Sequence, residues 1–183
     1  LDKVKAALGK RTVIEFGGIE ANPKYDTLMQ AVEVARKENI DFLLAVGGGS
    51  VMDGTKFIAL ATQFDGDTTS LLHHGFAPVP VAEDKVIPLG VIATLPATGS
   101  EMNAFAVVSY KGGKFPVNHP SVYPTFAMLD PELTFSLPKI QVANGVVDAF
   151  VHVLEQYATY PVDARVQDRT AEGQGKLFMP VPD

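Results

Sequence analysis

The sequence predicts an α/β fold, a Rossmann-like nucleotide-binding domain followed by the start of an all-helical domain, on three observations. Two short apolar runs, DFLLAV at 41–46 and VIPLGVIA at 86–93, lack polar alternation, as strands buried on both faces of a parallel sheet do. The first is followed by a glycine turn and a helical pattern, so the order reads strand, helix, strand, glycine turn, helix. From Pro138 helical spacing replaces that alternation, which puts a domain boundary near residue 137 and divides the chain into 1–137 and 138–183.

Taken in order, Leu1 to Lys10 reads as the end of a helix and Thr12 to Phe16 as a strand closed by Gly17-Gly18. Asn22-Pro23 predicts a helix start, with Asn capping free N–H groups and Pro at the first helical position. Tyr25, Leu28, Val32 and Ala35 recur at helical spacing, and Asn39 marks the stop. After the strand at 41–46 comes the turn Gly47-Gly48-Gly49-Ser50, then a helix over 51–62. Residues 63–85 have weak periodicity and contain His73-His74, so an irregular insertion is expected there. Beyond the second apolar strand, Thr98 and Glu101 have the spacing of a capping box opening a helix. Ala106 to Ser109 and Phe126 to Leu129 read as short strands, and Lys111 to Lys114 as a turn. Val142, Val146, Val147, Phe150, Val151, Leu154 and Tyr157 define the long helix after Pro138, a pattern that the last stretch, 173–183, abandons.

Composition excludes several function classes. A hydrophobic fraction of 46% with 20% charged residues suits a chain that buries a core. A net charge of −6 with dispersed basic residues argues against a nucleic-acid surface. The absence of cysteine excludes disulfides and thiolate metal sites and is compatible with a cytoplasmic setting. No apolar run has the length to span a bilayer, and a start at Leu1, inside a helical pattern, reads as a fragment.

Four groups of residues carry potential chemistry. The glycine turn, opening a helix after a buried strand, would present backbone N–H groups to a phosphate. It matches neither G-x-G-x-x-G nor a P-loop, and a plain tight turn stands beside the phosphate reading. Asp53 and Lys56, three apart on the next helix, read as an exposed ion pair or as a cofactor contact. The hydroxyl-rich segment Thr94 to Glu101 follows a strand at the sheet's carboxyl edge, where a dinucleotide lies in such folds. Asp148, His152 and Glu155 share one helical face among apolar neighbours, so Asp148 and His152 either bond to each other or hold a divalent cation such as Zn²⁺ or Fe²⁺. His73, His74 and His119 are expected at the surface.

Four phrases carry a family resemblance: FGGIEANP (16–23), AVGGGSVMD (45–53), TLPATGSE (94–101) and ANGVVDAFVH (143–152). In that order they resemble the iron-containing (group III) alcohol dehydrogenases, above all the bacterial NADPH-dependent aldehyde reductase and butanol dehydrogenase branch. The resemblance implies an α/β nucleotide-binding domain followed by a helical metal-binding one. It places Gly47, Gly48, Gly49 and Ser50 at the cofactor pyrophosphate and Asn22 toward its adenosine half. Thr94, Thr98, Ser100 and Asn103 line the rest of the path, Asp53 and Lys114 lie at the catalytic, nicotinamide end, and Asp148 and His152 match the first two metal ligands. The implied cofactors are NADP(H), or NAD, and Fe²⁺ or Zn²⁺. The implied substrate is a small aldehyde or primary alcohol, with no nucleic-acid or membrane partner and with assembly as a homodimer or larger. Family members have an earlier glycine-rich turn and two later His ligands, neither of which occurs in this sequence. A glycerol dehydrogenase-like or dehydroquinate synthase-like enzyme, or a non-catalytic nucleotide-binding remnant, are the competing expectations.

Overall fold

The computed structural model describes residues 2–158, which divide into compact units between Thr134 and Phe135. The first unit contains a parallel sheet with helices, a Rossmann-like α/β arrangement. Strands β1 (Leu43–Gly47), β2 (Leu89–Ala93) and β5 (Ala127–Met128) lie in the order β1-β2-β5. Both pairings are parallel, with Leu43 opposite Leu89, Gly47 opposite Ala93 and Val91 opposite Ala127. All five residues of the central strand β2 are buried, which is why its sequence is apolar without alternation.

Helix α1 (Asp2–Leu8) precedes α2 (Tyr25–Lys37) and α3 (Gly49–Ala61). Helix α2 is amphipathic and buries one stripe, Leu28, Ala31, Val32 and Ala35. Its end is a Schellman motif: Asn39 is left-handed at φ 51, its N–H bonds the Arg36 carbonyl, and the Ile40 N–H bonds the Ala35 carbonyl. Helix α3 is enclosed by α2, β1, β2 and β3, so every residue from Gly54 to Ala61 is buried. Gly54 permits the close approach of α2, since a Cβ there would lie 2.8 Å from Leu28 Cδ2. Arg36 closes the far end of α3, donating to the carbonyls of Ala61, Thr62 and Phe64 at 2.7, 2.8 and 3.2 Å.

A hairpin of β3 (Phe105–Tyr110) and β4 (Gly113–Asn118) turns through Lys111 and Gly112, both at positive φ as a two-residue hairpin loop demands. In the second unit, α4 (Lys139–Ala158) starts after Pro138, whose carbonyl accepts from Gln141 and Val142. Its apolar residues are largely exposed, with Val147 at 61% and Tyr157 at 66%. Among the described residues, no helix is long and apolar enough to cross a membrane. Residues 173–183, where the helical pattern lapses, lie outside the described residues.

Several local expectations are corrected. Residues 12–16 form no strand; Val13 and Ile14 are exposed and no ladder partner stands beside them among the described residues. Asn22 does not cap α2. It is left-handed at φ 56, and the helix begins at Tyr25 after an N-cap at Lys24. Thr98 and Glu101 form no capping box, because Gly99 is left-handed and only a short 3-10 helix, Ser100–Met102, follows. The turn anticipated over Lys111 to Lys114 is confined to Lys111 and Gly112, and the residues beyond it form β4. His119 is buried rather than solvated: Ser121 N–H donates to its Nδ1 at 3.1 Å, so its Nε2–H donates to the Val81 carbonyl at 2.9 Å.

Candidate functional site

The site is built at the carboxyl ends of β1 and β2, where ligands bind in open α/β sheets. Gly47 ends β1, and its carbonyl accepts from Thr94 N–H at 3.0 Å, which ties the glycine turn to the segment leaving β2. Gly48 is the N-cap of α3, and no side chain caps the first turn. The helix therefore points its positive end and uncapped N–H groups out of the sheet edge.

The three glycines serve different ends. A Cβ on Gly47 would lie 2.6 Å from Val51 Cγ2, so packing itself requires glycine there. A Cβ on Gly48 would meet only Leu95 at 3.5 Å, and one on Gly49 only Thr98 Oγ1 at 3.5 Å. Neither has positive φ. Packing and backbone conformation thus leave residues 48 and 49 free to carry a side chain. What their bare backbone provides is room for another group to approach.

Around this turn the fold gathers most of the residues singled out in the sequence. Asn22 N–H donates to Ser50 Oγ at 3.2 Å. Thr98 lies across from Gly49, exposed. Asp53, one turn into α3, accepts from Ser100 Oγ at 2.6 Å and from Val107 N–H at 2.9 Å. Asn103 donates from Nδ2 to the Gly99 carbonyl at 3.0 Å, and its Oδ1 accepts from Phe105 N–H at 3.0 Å. Lys114 is not brought into this group: it stands exposed on β4, opposite Ser109.

Lys56 links these residues, and it is not exposed, although the ion-pair reading of its spacing requires exposure. It is fully buried, and its Nζ donates to Ser100 Oγ, Asn103 Oδ1 and the Phe105 carbonyl at 2.9, 2.9 and 2.8 Å. The signal was present in the run Phe57 to Ala61, wholly apolar, which leaves α3 no solvent face to carry an exposed lysine. Burial lowers the Lys56 ammonium to about 8, against the opposing pull of Asp53 and Glu101. Burial likewise raises Asp53, outweighing its bonds from Ser100 and Val107 and the Lys56 charge.

The second unit holds a separate pair on α4. Asp148 Oδ2 and His152 Nε2 lie 3.6 Å apart, one helical turn from each other, and Glu155 Oε2 lies 3.9 Å from His152 Nδ1. Both Asp148 Oδ2 and His152 Nε2 are enclosed without a hydrogen-bond partner. Two orphaned donors, one oxygen and one nitrogen, fit a shared divalent cation of the Zn²⁺ or Fe²⁺ type. They are fewer than the three protein ligands of a catalytic zinc site, and among the described residues no group of three His, Asp or Glu is arranged to hold a metal.

Comparison with known proteins identifies the family of the chain. The family model described as iron-containing alcohol dehydrogenase matches residues 1–131. The NADPH-dependent aldehyde reductase YqhD of Escherichia coli is 55% identical over 177 residues, which are 94% of this chain and 45% of that protein. Its crystal structure superposes with a TM-score of 0.85 at 54% identity, over 94% of this chain and 44% of that one. NADH-dependent butanol dehydrogenase A from Thermotoga maritima superposes with a TM-score of 0.81 at 33% identity, over 94% of this chain and 43% of that one. The chain thus spans less than half the length of these relatives. With a glycine turn at the carboxyl edge of a parallel sheet and this extent of identity, the chain belongs to the iron-containing alcohol dehydrogenase family.

Proposed function

We propose that this chain supplies the nucleotide-binding part, and the first two metal ligands, of an oxidoreductase that transfers hydride between NAD(P)H and an aldehyde or primary alcohol. The observation that carries the reading is the bare backbone at Gly48 and Gly49, which the fold does not itself need, beside the uncapped start of α3. A pyrophosphate fits that chemistry, taking N–H donors and the positive helix end together. In this reading Ser50 and Asn22 stand toward one side of the nucleotide. Thr94, Thr98, Ser100 and Asn103 follow it along the segment after β2, and Asp53 faces the nicotinamide end, which Lys114 would reach only from its separate place on β4. Relatives that use NADPH and relatives that use NADH both match, and NADP(H) is preferred here because the 55% identical relative is NADPH-dependent.

Asp148 and His152 would hold Fe²⁺ or Zn²⁺, which when bound supplies Lewis-acid polarisation of a carbonyl oxygen. The substrate is a small molecule, the working assembly a homodimer or larger, and the cysteine-free composition fits a reducing cytoplasm. Gly49→Ala tests the reading. It should leave the unfolding midpoint unchanged, because only a 3.5 Å contact awaits the new carbon, while weakening NADPH binding about tenfold. An unaltered NADPH affinity in the folded variant would overturn it.

A further inference from the structure

Lys56 belongs to none of the roles set out above, yet it is the most enclosed charged side chain among the described residues. The three protons of its ammonium meet three acceptors that all lie in the segment 100–105: Ser100 Oγ, Asn103 Oδ1 and the Phe105 carbonyl. Because Ser100 Oγ accepts from Lys56, its own proton is directed to Asp53 Oδ1, 2.6 Å away. The other Asp53 oxygen takes the Val107 N–H, which points away from β4. A chain of donors thus runs from lysine through hydroxyl to carboxylate and fixes the rotamer of each.

We propose that Lys56 is a positioning residue whose ammonium fastens the 100–105 segment to α3 and, through Ser100, aims the Asp53 carboxylate at the nucleotide edge. The inference rests on the nucleotide-binding reading for its purpose but not for its geometry. A neutral amine has two N–H donors for the same three acceptors, so loss of the proton releases one of them. The charged groups acting on Lys56 are Asp53, on its own helix, and Glu101, in the segment it holds; β3 presents only the Phe105 carbonyl. Both carboxylates favour the charged form, and burial brings its loss down to about pH 8.

Amide hydrogen exchange on the full chain separates this role from nucleotide binding. The Phe105 and Val107 amides are bonded only to Asn103 Oδ1 and Asp53 Oδ2, whereas Ala106 and Val108 face β4 and serve as references. In Lys56→Met, Phe105 and Val107 should lose protection about tenfold relative to the references, and NADPH should bind about tenfold more weakly. In the unaltered chain, raising the pH from about 7 to about 9.5 should selectively release the same two amides after correction for intrinsic exchange, which keeps the test available if the variant does not fold. Unchanged relative protection in both experiments overturns the proposal. Failure of the unaltered chain to bind NADPH, with the amides responding as expected, overturns the nucleotide reading and leaves Lys56 as a clasp of this segment. Full NADPH affinity in a Lys56→Met chain whose two amides are released also overturns the aim assigned to Asp53.

Discussion

Raising the pH should stabilise the fold as a whole against unfolding through Lys56, even as it loosens the 100–105 segment locally, contrary to the usual expectation for a lysine that has gained partners. In the folded chain Lys56 loses its proton near 8, against 10.5 when unfolded. Below about pH 8 both states carry the proton and the cost of burying the charge is fully present. Between about 8 and 10.5 the unfolded chain binds more protons than the folded one, so stability rises with pH; above 10.5 the gain is complete. At about 1.4 kcal/mol per pH unit, that window allows about 3 kcal/mol at most. Urea unfolding at intervals from about pH 7 to about pH 10, in the native chain and in Lys56→Met, isolates the effect because other titrations cancel in the difference. The native chain should gain about 2–3 kcal/mol on the variant across the window, with little change in the slope against urea. Parallel pH profiles would refute the claim that burial, rather than the neighbouring carboxylates, governs this ammonium.

Two further perturbations bear on the site. Gly47→Ala places a methyl 2.8 Å from Val51 Cβ, an atom that cannot swing aside, so it should cost about 1–3 kcal/mol in urea unfolding, where Gly49→Ala costs almost nothing; equal effects would contradict the division between structural and ligand-facing glycines. Asp148→Ala and His152→Ala should each weaken Zn²⁺ binding by titration calorimetry by about tenfold or more and abolish aldehyde-dependent NADPH oxidation in a form that turns over, while leaving NADPH binding intact; metal affinity unmoved by either change would remove both from the ligand set.

What the sequence discloses depends on whether the governing physics is local. The central strand is legible because burial on both faces writes itself into every position of LGVIA, and β1, only partly buried, is legible by the unbroken apolar run of LLAVG. The Asn39 stop is legible because a left-handed cap is chemistry of one residue. Thr12 to Phe16 misleads because β-propensity reports a willingness to pair, whereas pairing needs a neighbour that the pattern cannot supply. Strand β4 is hidden by Gly113 and Pro116, yet Pro116 stands opposite Val107, whose N–H points away to Asp53, so a missing donor at that position loses no ladder bond. Asn22-Pro23 carries the vocabulary of a helix start, but the Pro23 carbonyl is taken by Ser109 N–H and Asn22 reaches Ser50, so tertiary bonds override the local cap. Lys56 is misread for a related reason: spacing alone pairs it with Asp53 on a surface, while the apolar residues that follow it place the whole helix inside.

Asp53 and Lys56 carry opposite charges near each other, yet each is displaced toward its neutral form. Their mutual attraction therefore does not compensate for their removal from water, and the sign of both displacements has a consequence. Lys56 relieves its penalty only above about pH 8, and Asp53 relieves its own only toward acid, so both penalties stand in full near neutrality. A pair retained for stability would show the reverse pattern, with each group held in its charged form by the other. The same reasoning applies to Gly48 and Gly49, which forgo side chains that the backbone and the packing would accept. Four departures from the most stable arrangement, at Gly48, Gly49, Asp53 and Lys56, thus cluster within about two turns of the start of α3, at the edge where the sheet opens. Such departures concentrate where a site needs fixed charge and bare backbone. Replacing the charges with apolar residues of similar size should accordingly yield a fold at least as stable, and one that has lost its hold on the nucleotide.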